Sequence, residues 1–94
     1  MFDSANISIF AGSGGQVFAE RMCKYMGKRL GSSEVITFSE GNTFVRVNES
    51  VRDRDVFLVQ PIGMHSNDEL VEILFWMDAF KRANAHSCTL IMPY

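Results

Sequence analysis

Residues 67–94, NDELVEILFWMDAFKRANAHSCTLIMPY, decide the fold. A long helical pattern runs into a short apolar run, and that order is the second half of a strand–helix–strand unit. The helix should begin near Asn67, with Ser66 or Asn67 as cap. Asp68 and Glu69 then sit favourably against the positive end of the helix dipole. On a wheel of about 100° per residue, Leu70, Ile73, Leu74, Met77 and Phe80 share one face, expected to be the core face. Asp68, Glu72, Asp78 and Arg82 share the opposite, polar face. Val71 and Phe75 fall inside that polar stripe, which points to contact with another layer or subunit or to simple exposure. Residues 88–92, CTLIM, read as a buried strand ending before Pro93 and Tyr94. In an open α/β sheet, ligands gather beyond the carboxyl ends of strands. A ligand-binding loop is therefore expected to follow Pro93 and Tyr94, and the chain reads as the front part of a larger enzyme.

Working outward, residues 6–10 (NISIF) read as a first strand. Residues 11–15 (AGSGG) form a turn, with Ser13 available as N-cap. A helix follows from residue 16 to about 29, its face expected from Phe18, Met22, Tyr25 and Met26, and Gly27 or Gly31 can end it. Residues 34–38 and 43–48 read as two strands joined by the short polar stretch 39–42, a hairpin spacing. Residues 55–60 (DVFLVQ) read as a buried strand. Strands alternating with helices give an α/β fold with a mostly parallel sheet flanked by helices and an antiparallel hairpin at one side.

The 94 residues fit one small domain. Hydrophobic residues are 47% and charged residues 21%, values that argue against disorder. A net charge of −2 gives no reason to expect nucleic acid as a partner. No apolar run approaches the roughly 18 residues that span a bilayer, and the N-terminus lacks a signal-peptide pattern. Cys23 and Cys88 form no ligand motif and read as reduced core thiols. A cytoplasmic protein without a membrane partner is expected.

Catalytic and metal motifs are absent at the level of spacing. The FAGSGG turn tempts toward a phosphate loop. Val17 stands where the third glycine of the dinucleotide fingerprint belongs, and no GK[ST] follows. A structural strand-to-helix turn is the favoured reading. His65 and His86 have no carboxylate or cysteine at a ligand spacing, and no serine sits in a GxSxG elbow. Asp53 and Asp55 flank Arg54 in what reads as the solvated start of a strand.

Taken together, IFAGSGG, ITFSEGNTFVRVNESVRDRDVFLVQ and SNDELVEILFWMDAFKRANAHSCTLIMPY resemble the N-terminal domain of ribose-phosphate pyrophosphokinases, the phosphoribosyl-diphosphate synthetase family. The resemblance implies a phosphoribosyltransferase-like fold, with residues 1–94 as a truncated first domain and the second domain absent. It implies transfer of diphosphate from ATP to ribose 5-phosphate with Mg²⁺, in a homo-oligomer. The family's adenine loop has Phe, one residue, Asp or Asn, one residue, Glu; here the pattern falls on Phe38, Glu40 and Asn42. Phe38 suits stacking on adenine; Glu40 is longer than Asp, and Asn42 loses the charge of Glu. Ser50 and Arg52 match the family's allosteric site for phosphate or ADP, where Arg suits bidentate contact. The resemblance places the family's other ATP contacts and its Mg²⁺-binding His after Pro93 and Tyr94. No catalytic residue and no metal ligand is therefore assigned within the chain, and the chain alone is expected to be inactive. Two further readings are an inactive regulatory subunit of the same family and a stand-alone mononucleotide-binding module.

Overall fold

Two sheets set the frame in the computed structural model, which describes residues 6–38, 43–63 and 66–93. The elements run β1 (Ile7–Ala11), α1 (Gln16–Met26), β2 (Ser33–Thr37), β3 (Thr43–Val47), β4 (Asp55–Val59), α2 (Ser66–Arg82) and β5 (Ser87–Ile91). β1, β4 and β5 form a parallel sheet in the order β1-β4-β5. Ile7, Asp55 and Ser87 align at its amino end, and Ala11, Val59 and Ile91 at its carboxyl end. β2 and β3 form a separate antiparallel pair, with Ser33 opposite Val47 and Thr37 opposite Thr43. The α/β class with an antiparallel hairpin, expected from the sequence, is the fold observed.

Each face of the parallel sheet carries its own core. One face joins Phe10, Val56 and Leu58 to Ile73, Trp76 and Phe80 of α2 and to Val45 of the hairpin. Phe10, Trp76 and Phe80 meet as tilted rings, with centroids 5.1 to 6.1 Å apart. Such pairs add roughly 0.5–1.5 kcal/mol each beyond the area they bury. The other face joins Ile7, Ile9, Ala11 and Val59 to Ala19 and Cys23 of α1. Between α1 and the hairpin the chain passes β1, where the Gly31 N–H donates to Ile9 O at 2.7 Å. A Cβ on Gly31 would lie 2.6 Å from the Phe10 ring, so glycine is required there.

Both helices are turned relative to the expected faces. α1 packs through the small side chains Ala19 and Cys23, so the helix lies close to the sheet. Phe18 and Met26 are left largely exposed, and Tyr25 is 94% exposed. α2 buries Glu72, Ile73, Trp76 and Phe80, while Leu70 and Leu74 are exposed. Glu72 belongs to the core side, and Val71 and Phe75 are exposed beside Leu70 and Leu74. The cause is polar: Glu72 and Trp76, four apart, are bonded to each other beneath the helix.

Element ends shift by a residue or so. β1, β2 and β5 differ by one position from the expected strands, and α1 ends at Met26, with Gly27 as a left-handed C-cap (φ 70°). Ser13 is not the N-cap; Gly15 holds that position without a side-chain bond. No helix among the described residues is long and apolar enough to cross a membrane.

Candidate functional site

The carboxyl end of the parallel sheet is built around the glycine turn that follows β1. Gly12 N–H donates to Val59 O at 2.9 Å and Gly15 N–H to Gly12 O at 3.0 Å. Ser13 N–H donates to Glu72 Oε2 at 2.9 Å, and its hydroxyl donates to Glu72 Oε1 at 2.5 Å. Gly14 N–H donates to Gln60 Oε1 at 3.0 Å. All four amides are thus engaged within the fold, two of them by side chains from β4's end and from α2. A buried carboxylate also stands directly under the turn. The turn is a structural junction and not a phosphate cradle, which bears out the strand-to-helix reading.

The glycines there answer to contacts. A Cβ on Gly15 would lie 2.0 Å from Val59 O, and one on Gly12 would lie 2.4 Å from Gln60 Oε1. Gln60 is fully buried, and its Nε2 has no hydrogen-bond partner among the described residues. Its main-chain N–H donates to Ile91 O at 3.0 Å, which ties the end of β4 to the end of β5.

Beside this junction opens a cavity of about 420 Å³. Ser13 and Glu72 form its floor, Thr37 and Thr43 its hairpin wall, and Asp68 and Glu69 its helical wall. Glu69 Oε1 also accepts the Gly63 N–H at 2.8 Å. Three carboxylates make the lining acidic, so it repels phosphate groups and suits neutral hydrogen-bond donors. Phe38 directly follows Thr37 and is 52% exposed, an aromatic ring open for stacking, though it does not line this cavity. Glu40 and Asn42 lie outside the described residues.

Ser50 and Arg52 lie elsewhere. They precede β4 at the amino end of the sheet and are exposed, with Arg52 N–H donating to Ser50 Oγ at 3.4 Å. Val51 between them is fully buried and anchors the segment. Asp53 follows with a left-handed backbone (φ 59°), and its N–H donates to Asn84 O at 3.0 Å; Asn84 is left-handed too (φ 61°). The structure therefore puts Phe38 and the pair Ser50/Arg52 at opposite ends of the domain.

His86, which had no partner by spacing, pairs through Nδ1 with Asp55 Oδ1 at 3.0 Å, because β4 and β5 are in register there. Ser87 Oγ donates to the same Asp55 oxygen at 2.6 Å. The Ser87 and His86 bonds hold the Asp55 carboxyl below its ordinary range, and the Asp55 bond raises the His86 pKa. His65 lies outside the described residues. Cys23 and Cys88 are free thiols, and burial raises both, Cys88 to about 11. Among the described residues no three His, Cys, Asp or Glu converge to hold a metal ion.

The sequence reading did not single out Glu72 or Gln60. The signal for Glu72 was present in its spacing of four from the chain's single Trp, inside an otherwise apolar helix.

In an open parallel α/β sheet such as this one, ligands gather beyond the carboxyl ends of the strands. The chain belongs to the family of the N-terminal domain of ribose phosphate pyrophosphokinase, whose model matches residues 7–94. It is 40% identical over 91 residues to the ribose-phosphate pyrophosphokinase of Thermotoga maritima, covering 97% of this chain and 29% of that protein. The Wolinella succinogenes enzyme of the same name is 44% identical over 86 residues, covering 92% and 28%. The crystal structure of phosphoribosylpyrophosphate synthetase from Mycobacterium smegmatis superposes with a TM-score of 0.89 at 34% identity, covering 95% of this chain and 30% of that one. The chain thus spans just under a third of the length of these relatives.

Proposed function

We propose that this chain serves as the N-terminal α/β domain of a ribose-phosphate diphosphokinase, which transfers diphosphate from ATP to ribose 5-phosphate and yields phosphoribosyl diphosphate for nucleotide synthesis. The observation that carries the reading is the family match over residues 7–94, joined to an exposed Phe38 on the hairpin. In this reading Phe38 stacks on adenine, a contact worth roughly 1–3 kcal/mol, and Glu40 and Asn42 meet the purine edge. In this reading the acidic cavity lined by Asp68, Glu69 and Glu72 repels phosphate, so the phosphates of ATP point away from α2. Ser50 and Arg52 form a separate anion site for phosphate or ADP at the amino end.

The reaction implied by the family uses Mg²⁺, which neutralises phosphate charge when bound. Among the described residues no three His, Cys, Asp or Glu converge on one point. What this chain's own residues do is position the base and hold the hairpin on α2. The chain by itself binds ATP weakly and does not catalyse. Assembly with further copies is part of the reading. Leu70, Val71, Leu74 and Phe75 form one exposed apolar strip on α2, a surface of the kind that marks subunit contacts. The free thiols suit the reducing cytoplasm.

The test is a transplant. Residues 1–94 replace the matching segment of the Thermotoga maritima enzyme, and AMP release from ATP is measured with and without ribose 5-phosphate. The reading expects release that depends on ribose 5-phosphate. A folded chimera without it would favour an inactive regulatory subunit instead.

A further inference from the structure

At the amino end of the sheet a second cavity, of about 200 Å³, opens between β1 and the segment that leaves α1. It has no carboxylate besides Glu49 among its lining groups, and three cationic side chains, Lys28, Arg29 and Arg54, border it. Glu49 is itself engaged by the Ser32 N–H. This local cationic excess stands out in a chain whose net charge is −2. At the end of α1 the N–H groups of Gly27 and Lys28 close the Lys24 and Cys23 carbonyls.

Arg54 is held in place. Its Nε–H donates to Ser8 Oγ at 2.5 Å, and Nη2 donates to Ile7 O at 3.0 Å. Two of its five N–H donors are thereby used, and the fixed guanidinium keeps the others for a ligand without a large loss of side-chain freedom. The volume lies below the roughly 300–1,000 Å³ of pockets for larger ligands, which fits a single tetrahedral oxyanion and not a whole nucleotide.

We propose that this cavity binds a phosphoryl anion, either inorganic phosphate or the phosphate of a small monoester, on Arg54, Lys28 and Arg29. The site is separate from Ser50 and Arg52, neither of which lines it, and it does not depend on the enzymatic reading above.

The 94-residue chain is titrated with inorganic phosphate, with ribose 5-phosphate and with chloride at matched ionic strength, and the Gly31 amide and Arg54 Nε–H signals are followed by NMR. Saturable shifts with phosphate and none with chloride are expected. Tighter binding of ribose 5-phosphate identifies a monoester as the ligand, and equal binding identifies the anion itself. The double variant Lys28→Gln/Arg29→Gln, and separately Arg54→Gln, should weaken binding at least about tenfold, the factor that loss of one charge-assisted contact implies. The surface double variant keeps the test open if Arg54→Gln does not fold. Arg52→Gln should leave these shifts unchanged. Absence of saturable shifts overturns the proposal, as does saturation that survives Lys28→Gln/Arg29→Gln but is lost in Arg52→Gln.

Discussion

The Glu72 carboxylate accepts both the N–H and the hydroxyl of Ser13, 59 residues earlier, and also the indole N–H of Trp76 at 2.9 Å. One buried acid thereby fastens the turn after β1 to the helix that carries the central core. Replacing Glu72 by Leu leaves the indole N–H of the fully buried Trp76 unpaired, while the donors of the exposed Ser13 turn to water. A buried donor left unpaired costs roughly 1–3 kcal/mol, so Glu72→Leu should lose about that much in urea unfolding. Glu72→Gln keeps the acceptor oxygen and should lose less than half as much. Equal losses in the two variants would show that the carboxylate does not hold the turn.

Glycines in the turn should differ in tolerance by what their Cβ would meet. At Gly15 the obstacle is the main-chain oxygen of Val59, which cannot move aside. At Gly12 it is the side chain of Gln60. Gly15→Ala should cost about 3 kcal/mol or prevent folding, and Gly12→Ala nearer 1 kcal/mol. Thermal melts of the two variants measure the order, and a reversed order would contradict the packing described.

How far the sequence could be read follows from the same residues. The strands themselves were legible because 6–10 and 55–60 are short apolar runs with turn residues around them, and the hairpin because 39–42 is short and polar, but not the order β1-β4-β5. Helix rotation was not. A hydrophobicity wheel puts Glu72 outside, yet it is buried by donors from Ser13 and Trp76 that are distant in sequence or lie across a turn. Likewise α1 meets the sheet through Ala19 and Cys23, which a wheel weights less than Phe18 or Tyr25. The residues of the proposed adenine and anion contacts came from family resemblance. Spacing alone does not reveal a stacking aromatic or an arginine that waits for an anion.

Asp53 adopts a left-handed backbone that favours glycine. Asp53→Gly should stabilise the chain by about 0.5 kcal/mol, and Asp53→Val should cost about 1–2 kcal/mol, because Asp tolerates this region better than a β-branched residue. The pair of unfolding midpoints checks the sign.

The His86–Asp55 pair gives a pH dependence with a definite sign. His86 is raised from 6.5, so its contribution is complete below that pH and is lost as pH rises through the raised value. Asp55 is lowered from 3.8, so its contribution is complete above that pH and is lost as pH falls through the lowered value. The pair should therefore support the fold most between these two pH values. Denaturant midpoints of the wild type and His86→Gln should converge above neutrality and separate in mildly acid solution. A constant separation across that range would contradict the pairing.

The exposed strip on α2 should drive self-association. Leu74→Glu combined with Phe75→Glu removes its centre without touching the core. Sedimentation should show a concentration-dependent oligomer for the wild type and a smaller species for the variant. A wild type that stays monomeric at high concentration would rule out this surface as a strong contact.

The hairpin is central to the proposed function, and one measurement bears on it most directly. In the chimera with the Thermotoga maritima enzyme, Phe38→Ala should raise the KM for ATP roughly tenfold, as loss of a base–aromatic stack implies. The KM for ribose 5-phosphate and kcat should change little. An unchanged KM for ATP in an active chimera would contradict the placement of adenine on Phe38.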